Sequence, residues 1–556
     1  MNVARPPRLV FAMLAFATLV SVVAGARPAG AADSPPARMD FRAAVDVTAM
    51  DLDVVATAKD GRPVTDLTRA EISVAVDGKP VALDYFVRVE AGQLHGPDLA
   101  TASPDLILQT AAAGEERFLP RQFLLFFDDE HLLPFERKRV LEGLRDFVTR
   151  LSPSDAMAIL AYNISTHVFV PFTNSKEDLL AGLTRVDKQA PRGLYWETQY
   201  RQAIQDARRY SAFTSRGQTA RDSIVRNWGA QAWARDKGTL NEFRRAVEAL
   251  GARSGKRVLL YVSHGMELRP GQSLAQSLGG TALNQFDYSI LDPYGAVLEA
   301  ANRSGITIHA LDARGLGADV DAGEADPPAI DPFLLNTSRR ELLAGFADET
   351  GGVLVENRNF FGSALDQINR ESVSYYAVGV TLGSLDAKKT RHDVKVSTSR
   401  PGVTVRTRRG YTPLTAADAA RDRMEMSLIT PNAGGDFPVS LQTSAPKKGG
   451  GLGRRIVPFA VVVPLSSLTF LDESGKKRAD FELSLAAVED NGARSDPVTD
   501  RREIVVSPEA FAKSAGEPFV YRGEFKSRTG NMRFVATVRD IATNRIGVGS
   551  VSVRVE

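Results

Sequence analysis

Four polar residues, Asp128-Asp129-Glu130-His131, follow without a break the apolar run Phe123-Leu124-Leu125-Phe126-Phe127. Three carboxyl groups and an imidazole in one turn of chain can gather a cation or move a proton. Crowded carboxylates repel one another until a positive charge or a proton joins them. An all-oxygen set suits magnesium, whereas an imidazole shifts the preference toward manganese or zinc. A second group of chemically capable residues lies further on. All three tryptophans, Trp196, Trp228 and Trp233, fall in one segment, and residues 201–257 carry thirteen Lys/Arg against five Asp/Glu. Aromatic and arginine side chains dominate interface hot spots. The segment, with Asp129 and His131 beside it, is therefore a candidate partner-binding surface. Tryptophan is also highly buried on average, so a helical cap with its indoles packed inward fits the same residues.

The elements that would position these groups follow from periodicity. An apolar run without alternation reads as a strand buried on both faces of a parallel sheet, and open α/β sheets take ligands outside the carboxyl ends of their strands. Val140, Leu141, Leu144, Phe147, Val148 and Leu151 recur at helical spacing behind it. Strands are expected at 156–161, 167–172, 257–263, 306–311, 353–355 and 374–380. Helices are expected between them, one capped by Asn174 or Ser175 and one opened by Thr239 and Glu242. This alternation predicts a doubly wound α/β domain over 118–385. Before it, the turns at Asp60-Gly61 and Asp77-Gly78 and alternating apolar residues predict a small β domain over 40–92. After it come a β-hairpin extension at 386–414, a short helix near 415–427, and a β-sandwich over 430–556.

Composition narrows the class. The 556 residues exceed one core, so several domains are expected. A formal net charge of +2 argues against a dedicated nucleic-acid binder. Arg5 and Arg8, the apolar stretch 9–24 and Ala29-Gly30-Ala31 have the three parts of a secretory signal peptide, placed at 1–31. No later stretch is apolar enough to span a bilayer, and the chain has no cysteine. A secreted or periplasmic destination is expected, with envelope or extracellular contacts open. Familiar enzyme motifs fail on inspection. Gly251-x-x-x-Gly255-Lys256 is a residue short of a phosphate loop and precedes a strand, and no Gly-x-Ser-x-Gly or His-Glu-x-x-His occurs.

Several landmarks in order, Asp60-Gly61-Arg62-Pro63-Val64, Phe126-Phe127-Asp128-Asp129-Glu130-His131-Leu132, Val170-Pro171-Phe172-Thr173, 258–265, Tyr375-Tyr376-Ala377-Val378-Gly379 and Arg408-Arg409-Gly410-Tyr411, resemble a von Willebrand factor type A (VWA) domain. Specifically, they are similar to the exported VWFA-related group described from acidobacteria, over roughly residues 40–415. The resemblance implies a VWA-like, Rossmann-type central domain and a divalent-ion adhesion site atop its sheet. It places the first Asp at Asp128 and the Thr at Thr173. Glu130 and Leu132 stand where the two Ser are expected, and His264 stands where the distal Asp is expected. The resemblance thus implies a degenerate site, with Asp128, Glu130, Thr173 and His264 as its residues and Mg, Mn or Zn as its possible ion. The expected function is non-enzymatic binding of an as yet unknown protein, as adhesin or scaffold. A metal-dependent hydrolase with a rebuilt Asp/Glu/His site, and a purely structural envelope module, are the alternatives.

Overall fold

Every residue of the strand 121–128 is buried, and its alternate side chains serve two cores. Phe123, Leu125 and Phe127 join one apolar cluster, whereas Leu124 and Phe126 join another on the opposite face. Helices cover both faces, which is why the run lacks polar alternation. This is a computed structural model, and it describes residues 49–98, 111–113, 116–278, 288–316, 332–382, 389–431, 433–449, 454–514 and 516–556. The expected signal peptide, 1–31, lies outside the described residues.

The central layer runs β1 (Arg121–Asp128), α1 (Pro134–Thr149), β2 (Ala156–Asn163), β3 (Ser165–Thr173), α2 (Lys176–Lys188), α3 (Gly193–Arg208) and α4 (Ser215–Gly251). It continues with β4 (Lys256–Ser263), α5 (Gln272–Ser277), α6 (Leu291–Arg303), β5 (Thr307–Asp312), α7 (Pro332–Thr350), β6 (Leu354–Val355) and α8 (Gly362–Val373). The sheet order is β3-β2-β1-β4-β5-β6, parallel except for the antiparallel edge strand β3. This is a doubly wound order, and its reversal falls between β1 and β4. Ser175 caps α2, its hydroxyl accepting the Asp178 amide.

Two local expectations are corrected. Thr239 opens no helix: it lies inside the 37-residue α4, where its hydroxyl donates to the Arg235 carbonyl at 3.2 Å. A threonine can return its hydroxyl to the preceding turn as readily as it can cap, so Thr-x-x-Glu alone could not locate the start. The strand expected at 374–380 also leaves the central sheet. Ser374–Thr381 pairs antiparallel with Ala49–Ala58 and with Tyr85–Glu90, setting Val378 opposite both Leu52 and Phe86.

The two strands that follow, His392–Thr398 and Val403–Arg406, do not form the expected hairpin but pair with Ile72–Val76 and Ala49–Ala58 respectively, in different sheets. Met50, Leu52 and Val54 thus share a core with Tyr376, Val378 and Val394. Alternation identifies a strand and its buried face, but not the partner that covers it. Beyond helix Ala416–Ile429, two antiparallel sheets enclose Val457, Phe459 and Val461 from one side and Phe481, Phe534 and Val538 from the other. Among the described residues no helix is long and apolar enough to cross a membrane.

Candidate functional site

Strand register builds the floor of the site. Phe127 lies opposite Val262, so Asp128 and Ser263 end adjacent strands at the reversal point of the sheet. Asp128 is fully buried, and both its oxygens are engaged. Oδ2 accepts the Tyr261 and Ser263 hydroxyls at 2.9 and 2.7 Å, and Oδ1 meets His131 Nδ1 at 2.8 Å. The other ring nitrogen, Nε2, meets Asp236 Oδ1 at 2.9 Å. An imidazole donating to carboxylates from both nitrogens is a cation. Burial alone would lower the pKa of His131, but the flanking Asp128 and Asp236 outweigh it and hold it above its ordinary value. Asp236 comes from α4 and also accepts Arg235 Nε at 2.6 Å, while its Oδ2 has no hydrogen-bond partner among the described residues.

The neighbouring acids are equally committed. Asp129 points away into the protein, where Oδ2 accepts Arg137 at 2.7 Å and Oδ1 has no partner among the described residues. Burial pushes its carboxyl up to about 7 against the pull of Arg137. Glu130 accepts the Ile164 amide at 2.8 Å, Arg192 at 3.0 Å and the Trp196 indole N–H at 2.6 Å. The start of α3 is clamped onto this turn: the Arg192 amide donates to the Asp129 carbonyl at 2.6 Å, and the Gly193 amide to Leu132 at 3.1 Å. Only glycine fits there, because a Cβ at 193 would stand 2.3 Å from the Leu132 carbonyl oxygen.

Above this floor, between the sheet edge and the α3–α4 hairpin, lies a cleft of about 420 Å³. Glu130, His131 and Asp236 form its base, and Trp196, Tyr200 and Trp228 its aromatic wall. Trp196 packs edge-on to Trp228 at 6.3 Å, and Tyr200 lies 5.1 Å from Trp228. Ile204 and Ala232 also line the cleft, and Val225 and Leu274 share their apolar cluster. His264, Glu267 and Arg339 stand on the β4 side. His264 Nδ1 meets Glu136 at 2.9 Å and its Nε2 accepts Arg339 at 2.7 Å, which defines a neutral ring. Burial and the Arg339 charge hold its pKa below the ordinary value.

The structure brings together Glu130, His131, His264, Trp196 and Trp228, with Asp128 directly beneath. It does not bring in three other candidates. Thr173 pairs with Met157, five residues along β2 from the Tyr162 that faces Asp128. At ~3.3 Å per residue this is about 16 Å away, at the opposite end of the sheet. The antiparallel turn of β3 carries it there, and its hydroxyl accepts the Ser175 amide. Asp129, fully buried against Arg137, presents nothing to a partner. Trp233 packs against the core of the other sheet face, donating to the Ser289 carbonyl at 3.1 Å.

A divalent ion does not fit this donor set. Asp128 and Glu130 already accept on both oxygens, both nitrogens of His264 are engaged, Leu132 is apolar and Thr173 is remote. Among the described residues no group of three His, Asp or Glu is placed to share an ion. Millimolar Mg²⁺, Mn²⁺ or Zn²⁺ is therefore expected to leave the thermal midpoint unchanged. Binding at a hundredfold excess over Kd would add about 2.7 kcal/mol and shift it by several degrees, which scanning calorimetry would detect.

Several residues of the cleft escaped sequence reasoning. Asp236 carried a legible signal: it occupies the buried stripe of α4 with Trp228, Gly229, Ala232, Leu240 and Phe243. A carboxylate on an apolar helical face demands a partner. Tyr200, Arg339 and Glu267 carried none, because their neighbours come from distant chain.

No family model matches the chain, and no curated protein does. Among solved structures, a von Willebrand factor type A protein from Catenulispora acidiphila aligns over 92% of this chain and 74% of its own, at 8% identity and a TM-score of 0.25. The conserved hypothetical protein BatB from Bacteroides thetaiotaomicron aligns over 46% and 96%, at 12% identity and a TM-score of 0.24. An aerotolerance-related membrane protein from Bacteroides fragilis aligns over 46% and 98%, at 11% and 0.23. Likeness this loose assigns no role, and the central fold is read from its own strand order.

Proposed function

We propose that this chain is an exported, non-enzymatic protein-interaction module: a small β unit, a VWA-like central domain and a terminal β-sandwich. In this reading the aromatic cleft, rather than a metal site, is the contact point. The observation that carries it is the position of that cleft at the sheet's reversal point, with exposed apolar side chains on the helix that walls it. Leu194 and Tyr195, 57% and 50% exposed, begin the helix that supplies Trp196 and Tyr200. Exposed apolar residues grouped beside an aromatic pocket mark interaction surfaces.

The chemistry of the cleft favours binding over turnover. Among the described residues its lining holds no serine, threonine or cysteine to act as nucleophile. Both imidazoles have both nitrogens engaged, so neither is available as a general base without breaking a buried bond.

A photo-crosslinking side chain placed at Tyr195 in the mature protein tests the reading against envelope extract. One saturable adduct, competed by unlabelled protein and reduced at least tenfold by Leu194→Ala with Trp196→Phe, is expected. Adducts that neither saturate nor respond to those changes would leave the module structural only.

A further inference from the structure

Arg339 is the unspent charge of the cleft. Among the described residues its one hydrogen bond goes to His264 and no carboxylate lies within ion-pair distance, although the buried Glu267 acts on its charge from further off. The other arginines at the cleft are matched, Arg201 to Glu197, Arg235 to Asp236 and Arg192 to Glu130. Arg339 is instead aimed by a neutral imidazole, itself fixed by Glu136, so positioning does not cancel its charge. Guanidinium is the group that planar carboxylates engage through two parallel hydrogen bonds.

The rest of the lining restricts what carries that carboxylate. Among the described residues, the Oδ2 of Asp236, itself 1% exposed, and the buried Tyr200 hydroxyl have no hydrogen-bond partner. Glu267 accepts from Ser273, whose amide lies 3.3 Å away, and burial pushes its carboxyl up against the pull of Ser273 and Arg339. A second negative charge would meet these acids, which disfavours phosphates and dicarboxylates. An N–H donor would satisfy them. The wall of Trp196, Tyr200, Trp228 and Ile204 calls for an apolar body. A single carboxylate, adjacent N–H groups and an apolar side chain occur together in a peptide, and 420 Å³ is within the usual volume of a ligand cleft.

We infer that the cleft captures a peptide through one carboxylate on Arg339, with the neighbouring apolar side chain against Trp196, Tyr200 and Trp228. This deepens the interaction reading above and rests on it. The carboxylate comes from a C-terminus or from an acidic side chain.

Three acetylated peptides separate these sources: one ending in phenylalanine with a free carboxylate, its C-terminal amide, and an amide with glutamate beside the phenylalanine. Tryptophan fluorescence of the full chain is the readout. Saturable quenching is expected with one or both carboxylate peptides, at least tenfold tighter than with the plain amide. Arg339→Gln is expected to abolish that tenfold preference and Arg339→Lys to retain part of it. Tyr200→Phe removes only an unpartnered hydroxyl, so its urea midpoint should not fall, while carboxylate-peptide affinity drops several-fold. Equal binding of acid and amide, no saturable response, preserved preference in Arg339→Gln, or tighter binding of inorganic phosphate would each refute the assignment. If Arg339→Gln retains the Tyr195 adduct that Leu194→Ala with Trp196→Phe loses, the ligand assignment fails and the interaction module stands.

Discussion

Replacing Asp128 with alanine is expected to destabilise the central domain by about 3–5 kcal/mol, the usual effect of removing one partner from a buried charged pair. The carboxylate is fully buried, and three side chains depend on it. Its loss leaves the His131 cation with Asp236 alone. It also strands the Tyr261 and Ser263 hydroxyls at the sheet edge, each a buried polar group whose desolvation goes uncompensated. Asp128→Asn should cost less, because one oxygen still accepts while the new amide faces donors. Tryptophan fluorescence in urea isolates the relevant transition, since all three tryptophans lie in α3 and α4. A change below about 1 kcal/mol in Asp128→Ala would mean that the network is not formed. The residue that looks most like a ligand donor is thus the keystone beneath the cleft.

How much of this was legible depended on the range of the forces involved. The unalternating run at 123–127 revealed a two-faced strand, and its polar terminus revealed the edge at which a cleft forms, because both are local consequences of burial. The tryptophan and arginine segment announced a helical insertion beside that edge. What the strip 128–131 could not announce was its own orientation. Asp128 and Asp129 turn inward because Tyr261, Ser263 and Arg137 supply donors there, and two of these three come from a strand separated from β1 by the whole of the insertion. An acidic cluster at a strand end reads as solvated or metal-binding only until its internal cations are located.

Thr173 illustrates a different failure. Its rank in the chain matched a metal-site threonine, but β3 runs antiparallel and returns it to the amino end of β2. Strand direction is set by the tight connection at Ile164, which takes a left-handed backbone with φ of 63°. Nothing in the composition of 165–173 records that reversal. The strand expected at 374–380 failed in a related way: it forms where it was expected, whereas its sheet was chosen by Ala49–Ala58.

Asp129 offers the clearest dependence on pH. Its folded-state pKa stands near 7, raised by burial from 3.8, so the folded protein binds this proton more tightly than the unfolded chain. The sign follows directly. The stabilisation is complete below the unfolded value near 3.8 and is lost as pH rises through about 7, where the acid ionises beside Arg137. The full span is on the order of 4 kcal/mol, at 1.36 kcal/mol per pKa unit. Asp129→Asn keeps the shape and an oxygen for Arg137 but does not titrate. Stability of the wild type relative to Asp129→Asn is therefore expected to be greatest near pH 5, to shrink toward neutrality and to be level above pH 8. Differencing the two proteins removes the opposing contribution of buried neutral histidines such as His309, whose lowered pKa erodes stability below the unfolded value of 6.5 in both. Urea midpoints by tryptophan fluorescence from pH 5 to 9 supply the comparison. A difference that instead stayed level from pH 5 to 9 would mean that Arg137 holds Asp129 ionised throughout, since a group ionised in both states exchanges no proton on unfolding. The turn would then be an ordinary ion pair, and burial would not be the dominant force on its acids.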